Sequence, residues 1–205
     1  MEPAITIRLE TEDDFRETEI LTRDAFWDLF QPGCVEHLML HNLRQVAAFV
    51  PELDFVAVHE NRIIGNIIYS KAKIVSQSDQ DHEILCMGPL SVLPQYQRKG
   101  VGSKLFNHSV VIARKLGYKA VILFGHPEYY KRFGFVNAQK FNIKTSEGEN
   151  FDAFMALELY ENSLKGIEGR FYGDKVFHVD PAELEEFEKG FPYKGSNFEK
   201  DKSAV

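Results

Sequence analysis

Residues 5–9 alternate apolar and polar side chains, with Ile5, Ile7 and Leu9 against Thr6 and Arg8, which is the period of a half-buried strand. Thr11 follows, with Glu12 and Asp13 in the next turn and Asp14 three places on. That polar start and acidic first turn suit the positive end of a helix. Phe15, Leu21, Ala25, Phe26 and Leu29 then supply a broad apolar face, until Pro32 and Gly33 break it. A second helix is predicted over 35–49, with Leu38, Leu43, Val46 and Ala47 inward. Residues 55–59 and 63–69 are β-rich runs around the polar turn Glu60, Asn61 and Arg62, which predicts a hairpin whose second strand can continue through Val75.

After a polar loop over 76–81, another strand is predicted over 83–92. Gly88 and Pro89 inside it signal a bulge, because proline cannot donate to the ladder. Residues 102–116 repeat at helical spacing through Leu105, Val110, Ile112 and Ala113, with Gly117 placed to cap the end. The run 120–124 is continuously apolar, as a strand buried on both faces would be. Strand, glycine turn, helix and strand make a βαβ-type unit. Beyond it come a short helix over 128–133 and strands near 135–138 and 151–159. A hairpin over 167–179, an acidic helix over 181–189 started by Pro181, and a disordered tail after residue 195 complete the expectation.

The 205 residues are 44% apolar and 27% charged, ordinary for a globular protein with a sizeable core. A net charge of −7 argues against general nucleic-acid affinity. No signal sequence or bilayer-length apolar stretch is visible, and Cys34 and Cys86 lack metal or disulfide spacing. The expectation is a cytoplasmic protein with free thiols, no membrane partner and no metal. His37 and His41 lie four apart on a helix without a supporting carboxylate pattern, which suits a solvated or half-buried face.

The chemistry concentrates at Gln97, Arg98, Lys99, Gly100, Val101, Gly102 and Ser103, which lead into the predicted helix from 102. Glycines there let backbone N–H groups converge, the helix start adds unpaired donors, and two cations stand beside them. That is a seat for a diphosphate, although a Gly-x-Gly turn also serves plain helix packing. No Gly-Lys-Ser/Thr is present, and Leu105 occupies the third glycine position of a dinucleotide fingerprint.

Gln97 to Gly102 resembles the Gln/Arg-x-x-Gly-x-Gly/Ala signature of the GCN5-related N-acetyltransferase superfamily. Residues 88–94 resemble that superfamily's bulged strand. Gly125 to Phe135, with Tyr130 followed four residues on by Gly134 and Phe135, resembles its second signature. Within the superfamily the chain is most similar to the YhbS-like acetyltransferases, over residues 5–160. The resemblance implies an α/β fold: a mixed, mainly antiparallel twisted sheet flanked by helices, with a V-shaped opening between central strands. It divides the chain into an acetyltransferase domain over 1–160 and an extension over 161–205 packed against it.

By the same resemblance the acyl donor is acetyl-CoA, with its pyrophosphate on the backbone N–H groups from Arg98 to Ser103. Its pantetheine arm would pair with main chain at Leu90 and Val92, around Ser91. Tyr130 would protonate the departing thiolate, since a phenol stays protonated at neutral pH. Glu128 and His126 are the nearby residues able to take the amine's proton, with water as the third choice. The acceptor is expected to be a primary amine of a small molecule, attacked directly in a ternary complex. A protein lysine or N-terminus and a non-catalytic CoA sensor are the rival readings, and a homodimer is left open. Phe26, Trp27, Phe30, Phe171 and Tyr172 are the aromatics expected to line the acceptor side. One departure stands out: Leu123 occupies the position where many members carry a cofactor-contacting Asn.

Overall fold

The computed structural model describes residues 4–198. Among these residues nine strands form one sheet: β1 (Thr6–Leu9), β2 (Phe55–His59), β3 (Arg62–Val75), β4 (Asp81–Val92), β5 (Ala120–Phe124), β6 (Val136–Asn137), β7 (Ile143–Lys144), β8 (Phe154–Glu158) and β9 (Gly169–Tyr172). The main order is β1-β2-β3-β4-β5-β8-β6, and β9 pairs with β3 and β7. The β4–β5 and β7–β9 pairs are parallel, whereas the other pairs are antiparallel. The helices are α1 (Phe15–Phe26), α2 (Glu36–Leu43), α3 (Val101–Lys115), α4 (Pro127–Tyr130) and α5 (Pro181–Glu188).

The start of α1 follows the predicted signal. The Asp14 carboxylate accepts the Thr11 N–H at 2.9 Å and the Thr11 hydroxyl at 2.7 Å. Arg8 clamps the same carboxylate at 2.6 and 2.8 Å, and this contact holds its pKa well below the usual range.

Strand alternation assigns the layers. On β4, the Ser91 hydroxyl meets Thr22 of α1 at 2.9 Å, while Leu90 and Val92 approach Gly102 of α3. On β3, Ile68 packs with Leu40 and Leu43 of α2, and the Tyr69 hydroxyl meets Ser109 of α3 at 2.8 Å. So α1 and α2 cover one face and α3 covers the other. Helix α5 lies on the first face, with Phe187 against His37 and His41.

Four expectations need correction. Helix α2 ends at Leu43 rather than running to 49. The Lys71 N–H donates to Ala48, the Val50 N–H donates to Tyr69, and Phe49 bridges Ser70, so this segment covers the middle of the β3 edge between β2 and β9. Edge pairing outweighs helical propensity there. Residues 167–179 form no hairpin: β9 finds its partners in β3 and β7, and a turn over Lys175–Phe177, capped by Asp174, replaces the return strand. His37 is fully buried rather than solvated, because α5 closes over it. The expected tail begins after 195, yet Ser196 and Asn197 both donate to the Asp28 carboxylate; 199–205 lie outside the described residues. No helix among the described residues is long and apolar enough to cross a membrane.

Candidate active site

The pairing of β3 with β4 slips between Ile67–Leu90 and Tyr69–Met87, which leaves Gly88 and Pro89 opposite Ile68 as a bulge. On its other edge β4 pairs with β5 only at Leu85 and Cys86. Past Cys86 the two strands part: Leu123 and Phe124 keep their pairing with β8 but have no partner on β4. The edge of β4 beyond that point faces an open wedge between the central strands.

The wedge widens into a cleft of about 1180 Å³. At one end stands the loop into α3. The Gln97 side chain donates to Val92 O at 3.1 Å, which ties the loop to the strand. Arg98 and Gly100 both have positive φ, +59° and +81°; a Cβ at Gly100 would touch nothing, so backbone conformation rather than space favours glycine there. The first turn of α3 carries no acidic residue. Its leading N–H groups, at Val101, Gly102 and Ser103, therefore have neither helical partners nor a competing carboxylate of their own turn.

Leu90, Val92, Gln97, Arg98, Gly100, Val101, Gly102 and Ser103 all line the cleft. The other two candidates do not: Ser91 is buried with its hydroxyl on α1, and the Lys99 ammonium lies 5.5 Å from the Tyr96 ring. The wall opposite the α3 start comes from α4, with Pro127 at its first position and His126 as cap residue. The Tyr130 ring lies against the backbone of Gly125 and packs edge-on to Tyr129 at 4.9 Å and Phe135 at 5.6 Å. Burial, reinforced by Tyr129, raises the pKa of its hydroxyl, so it keeps its proton through neutral and mildly alkaline pH.

Of the two candidate bases, His126 lines the cleft. Glu128 does not: its exposed carboxylate pairs with Lys131 at 3.0 Å, which holds its pKa low. A carboxylate already neutralised by a surface ammonium is a poor proton acceptor.

Past Tyr130 the cleft continues into a second half. Phe26 and Phe30 of the α1–α2 wall line it as expected, as do Phe171 and Tyr172. Trp27 does not; its indole lies against Arg23 and Lys194 and donates to Gly195 O at 3.2 Å. Phe124, expected to be buried on both faces, is 53% exposed and stacks on Phe151 and Phe154 at the cleft floor. Glu36, Met39, Glu147, Asp174 and His178 also line this half, and no local sequence pattern points to them. Among the described residues, no group of three His, Cys, Asp or Glu could hold a metal ion.

A family model described as the acetyltransferase (GNAT) domain matches residues 52–137. The uncharacterized N-acetyltransferase YhbS of Escherichia coli (strain K12) is 27% identical over 80% of this chain and 92% of its own length. A second E. coli relative, the uncharacterized N-acetyltransferase YjhQ, is 33% identical, but the match spans 42% of this chain and only 46% of that protein. Among solved structures, E. coli YhbS in complex with CoA superposes with a TM-score of 0.76 at 25% identity, covering 87% of this chain and 96% of that one. A GNAT family acetyltransferase from Brucella melitensis in complex with acetyl-CoA gives 0.68 at 25% identity, covering 86% and 99%.

Proposed function

Because the chain belongs to the GCN5-related N-acetyltransferase superfamily, and is thus an acyltransferase, we propose that it moves the acetyl group of acetyl-CoA to a primary amine of a small molecule. The observation that carries this reading is a single cleft joining three parts: the α3 start, the bulged edge of β4 and the protonated Tyr130. The pyrophosphate rests on the N–H groups from Arg98 to Ser103, with Gln97 bracing the loop. The pantetheine arm runs along β4 at Leu90 and Val92 as an added strand would, and enters the wedge that β5 leaves open.

The reaction is direct attack in a ternary complex. The amine nitrogen, after giving a proton to His126, bonds to the thioester carbon. A main-chain N–H on the β4 edge stabilises the oxyanion that develops. The carbon–sulfur bond then breaks, and the Tyr130 hydroxyl gives its proton to the sulfur. The second proton of the attacking nitrogen leaves the new amide to restore the Tyr130 hydroxyl, so the net proton released is the one on His126. The same reading puts the enzyme in the cytoplasm, where the free thiols of Cys34 and Cys86 are at home.

The test is thiol release from acetyl-CoA in the presence of small amines and of lysyl and N-terminal peptides, with the acetylated product identified by mass. Small amines should accelerate release and become acetylated. If acetyl-CoA binds but no acceptor speeds release, the assignment is wrong; if peptides outrun every small amine, the acceptor class is wrong.

A further inference from the structure

The cleft is divided by charge. Among the described residues, its Arg and Lys lining is Arg98 and Arg132, the former in the loop before α3 and the latter over the Tyr129 ring at 4.0 Å. Glu36, Glu147, Glu149 and Asp174 line the other half. A nucleotide diphosphate and a cation therefore find complementary fields at opposite ends.

Glu36 differs from three other sheltered acids, each of which has a cationic partner. Glu10 is held by Arg44 at 2.8 Å, Glu19 by His41 at 2.8 Å, and Glu188 by Arg23 at 2.7 Å. The Glu36 carboxylate accepts the Val35 N–H at 3.0 Å but has no cationic side chain within ion-pair distance among the described residues. Burial pushes its carboxyl up from the ordinary glutamate value. A half-buried carboxylate without a counter-charge is costly, and the cost is relieved when a ligand brings the cation. On the same α1–α2 wall, Leu29 and Phe30 stay 56% and 69% exposed, an apolar surface suited to a hydrocarbon or aromatic body and to an ammonium over a ring face.

We propose, building on the acetyl-transfer reading above, that the acceptor is an apolar-bodied diamine whose second ammonium pairs with Glu36 while the first reacts beside Tyr130. The helix sets the scale. Leu43, at the far end of α2, packs at Gly88 of the bulge, where a Cβ would lie 3.3 Å from it. With a rise of ~1.5 Å per residue, Glu36 stands about 10 Å further along the axis. A ligand that spans from the bulged edge, along which the pantetheine arm is proposed to run, to Glu36 therefore needs a spacer between its two nitrogens, not nitrogens on neighbouring carbons. Asp174 and Glu147 add negative field and, like Glu36, accept a local hydrogen bond, Asp174 from the Val176 N–H at 3.0 Å and Glu147 from the Ser146 hydroxyl at 2.6 Å, but Glu36 is the one that shares the α1–α2 wall with the exposed Leu29 and Phe30.

The experiment compares kcat/KM for three series of acceptors: alkyl monoamines, diamines of matched length, and the same diamines with one nitrogen already acetylated. Longer diamines should exceed their monoamine and half-acetylated counterparts by about tenfold, as expected for a partly desolvated charge pair. Added salt should shrink the ratio, and Glu36→Gln should bring it towards one. CoA affinity of the variant, read by titration calorimetry, reports whether its fold is intact. Equal use of monoamines and diamines, a preference that survives Glu36→Gln, or preferred use of carboxylate-bearing amines would overturn the proposal and leave acetyl transfer standing. Failure of every amine and peptide to speed thiol release would overturn both.

Discussion

The hydroxyl of Tyr129 lies so close over Gly102 that a Cβ added there would come within 2.6 Å of it. This places a phenol tip directly above the start of α3, where the diphosphate is proposed to sit. Gly102→Ala should push Tyr129 aside and weaken CoA binding by about tenfold. In a Tyr129→Phe background the same alanine meets no hydroxyl, so its effect should be smaller. Titration of CoA against the two single variants and the double variant measures that coupling. Strict additivity would show that the tyrosine and the helix start do not act on the ligand together.

Tyr130→Phe removes the proposed proton donor and keeps the ring that packs on Gly125 and Phe135. Turnover should fall by roughly 10²-fold, the usual size of a lost general acid, with CoA affinity near that of the parent chain. Because burial raises the Tyr130 pKa, activity should not decline through loss of this proton anywhere up to the ordinary phenol value near 10. A steep fall in kcat between pH 8 and 9 that disappears in Tyr130→Phe would contradict the assigned role.

How legible each half of the cleft was follows from its construction. The α3 start and Tyr130 each sit in one contiguous segment, where glycine, proline and aromatic positions encode local backbone geometry. The bulge was legible for the same reason, from Gly88 and Pro89. The second half draws Glu36, Phe124, Glu147 and Asp174 from four distant stretches, and no local pattern links them. Phe124 shows why: its apolar run predicts burial on both faces, yet the parting of β4 from β5 exposes its ring. The missing hairpin over 167–179 has a similar cause, since β9 pairs with strands more than 20 residues away.

The segment after α5 begins is held to α1 by charged side chains. Arg23 meets Glu188 at 2.7 Å, Lys194 meets Asp24 at 2.6 Å, and Arg16 donates to Gly190 O. The Arg23 side chain is 7% exposed and also covers the Trp27 ring at 4.3 Å. Arg23→Ala leaves the half-sheltered Glu188 with only the neutral His37 ring beside it, and should cost about 2 kcal/mol, less than for a fully buried pair. For a chain of this size that lowers the thermal midpoint by roughly 4–8 °C. A midpoint within a degree of the parent would show that this contact does not hold α5 in place.

His37 makes stability depend on pH in a definite direction. Its ring is fully buried between Phe187 and Phe191, with Nδ1 3.4 Å from Cys34 Sγ and Nε2 2.9 Å from Glu188. Burial lowers its pKa from 6.5 to about 4, against the pull of Glu188. Between those values the unfolded chain binds a proton that the folded one refuses, so stability falls as pH drops from 6.5 towards 4. At 1.36 kcal/mol per pKa unit the contribution reaches about 3 kcal/mol. Asp54 opposes it: burial and its neighbour Glu10 push its carboxyl up, so the folded state gains a proton first as pH falls. The His37 component is therefore the difference between the parent chain and His37→Gln, taken from urea unfolding at pH 6.5 and pH 4.5. The parent should lose about 2 kcal/mol more than the variant over that interval. Equal losses would mean that His37 takes up its proton in the folded state as readily as in the unfolded one.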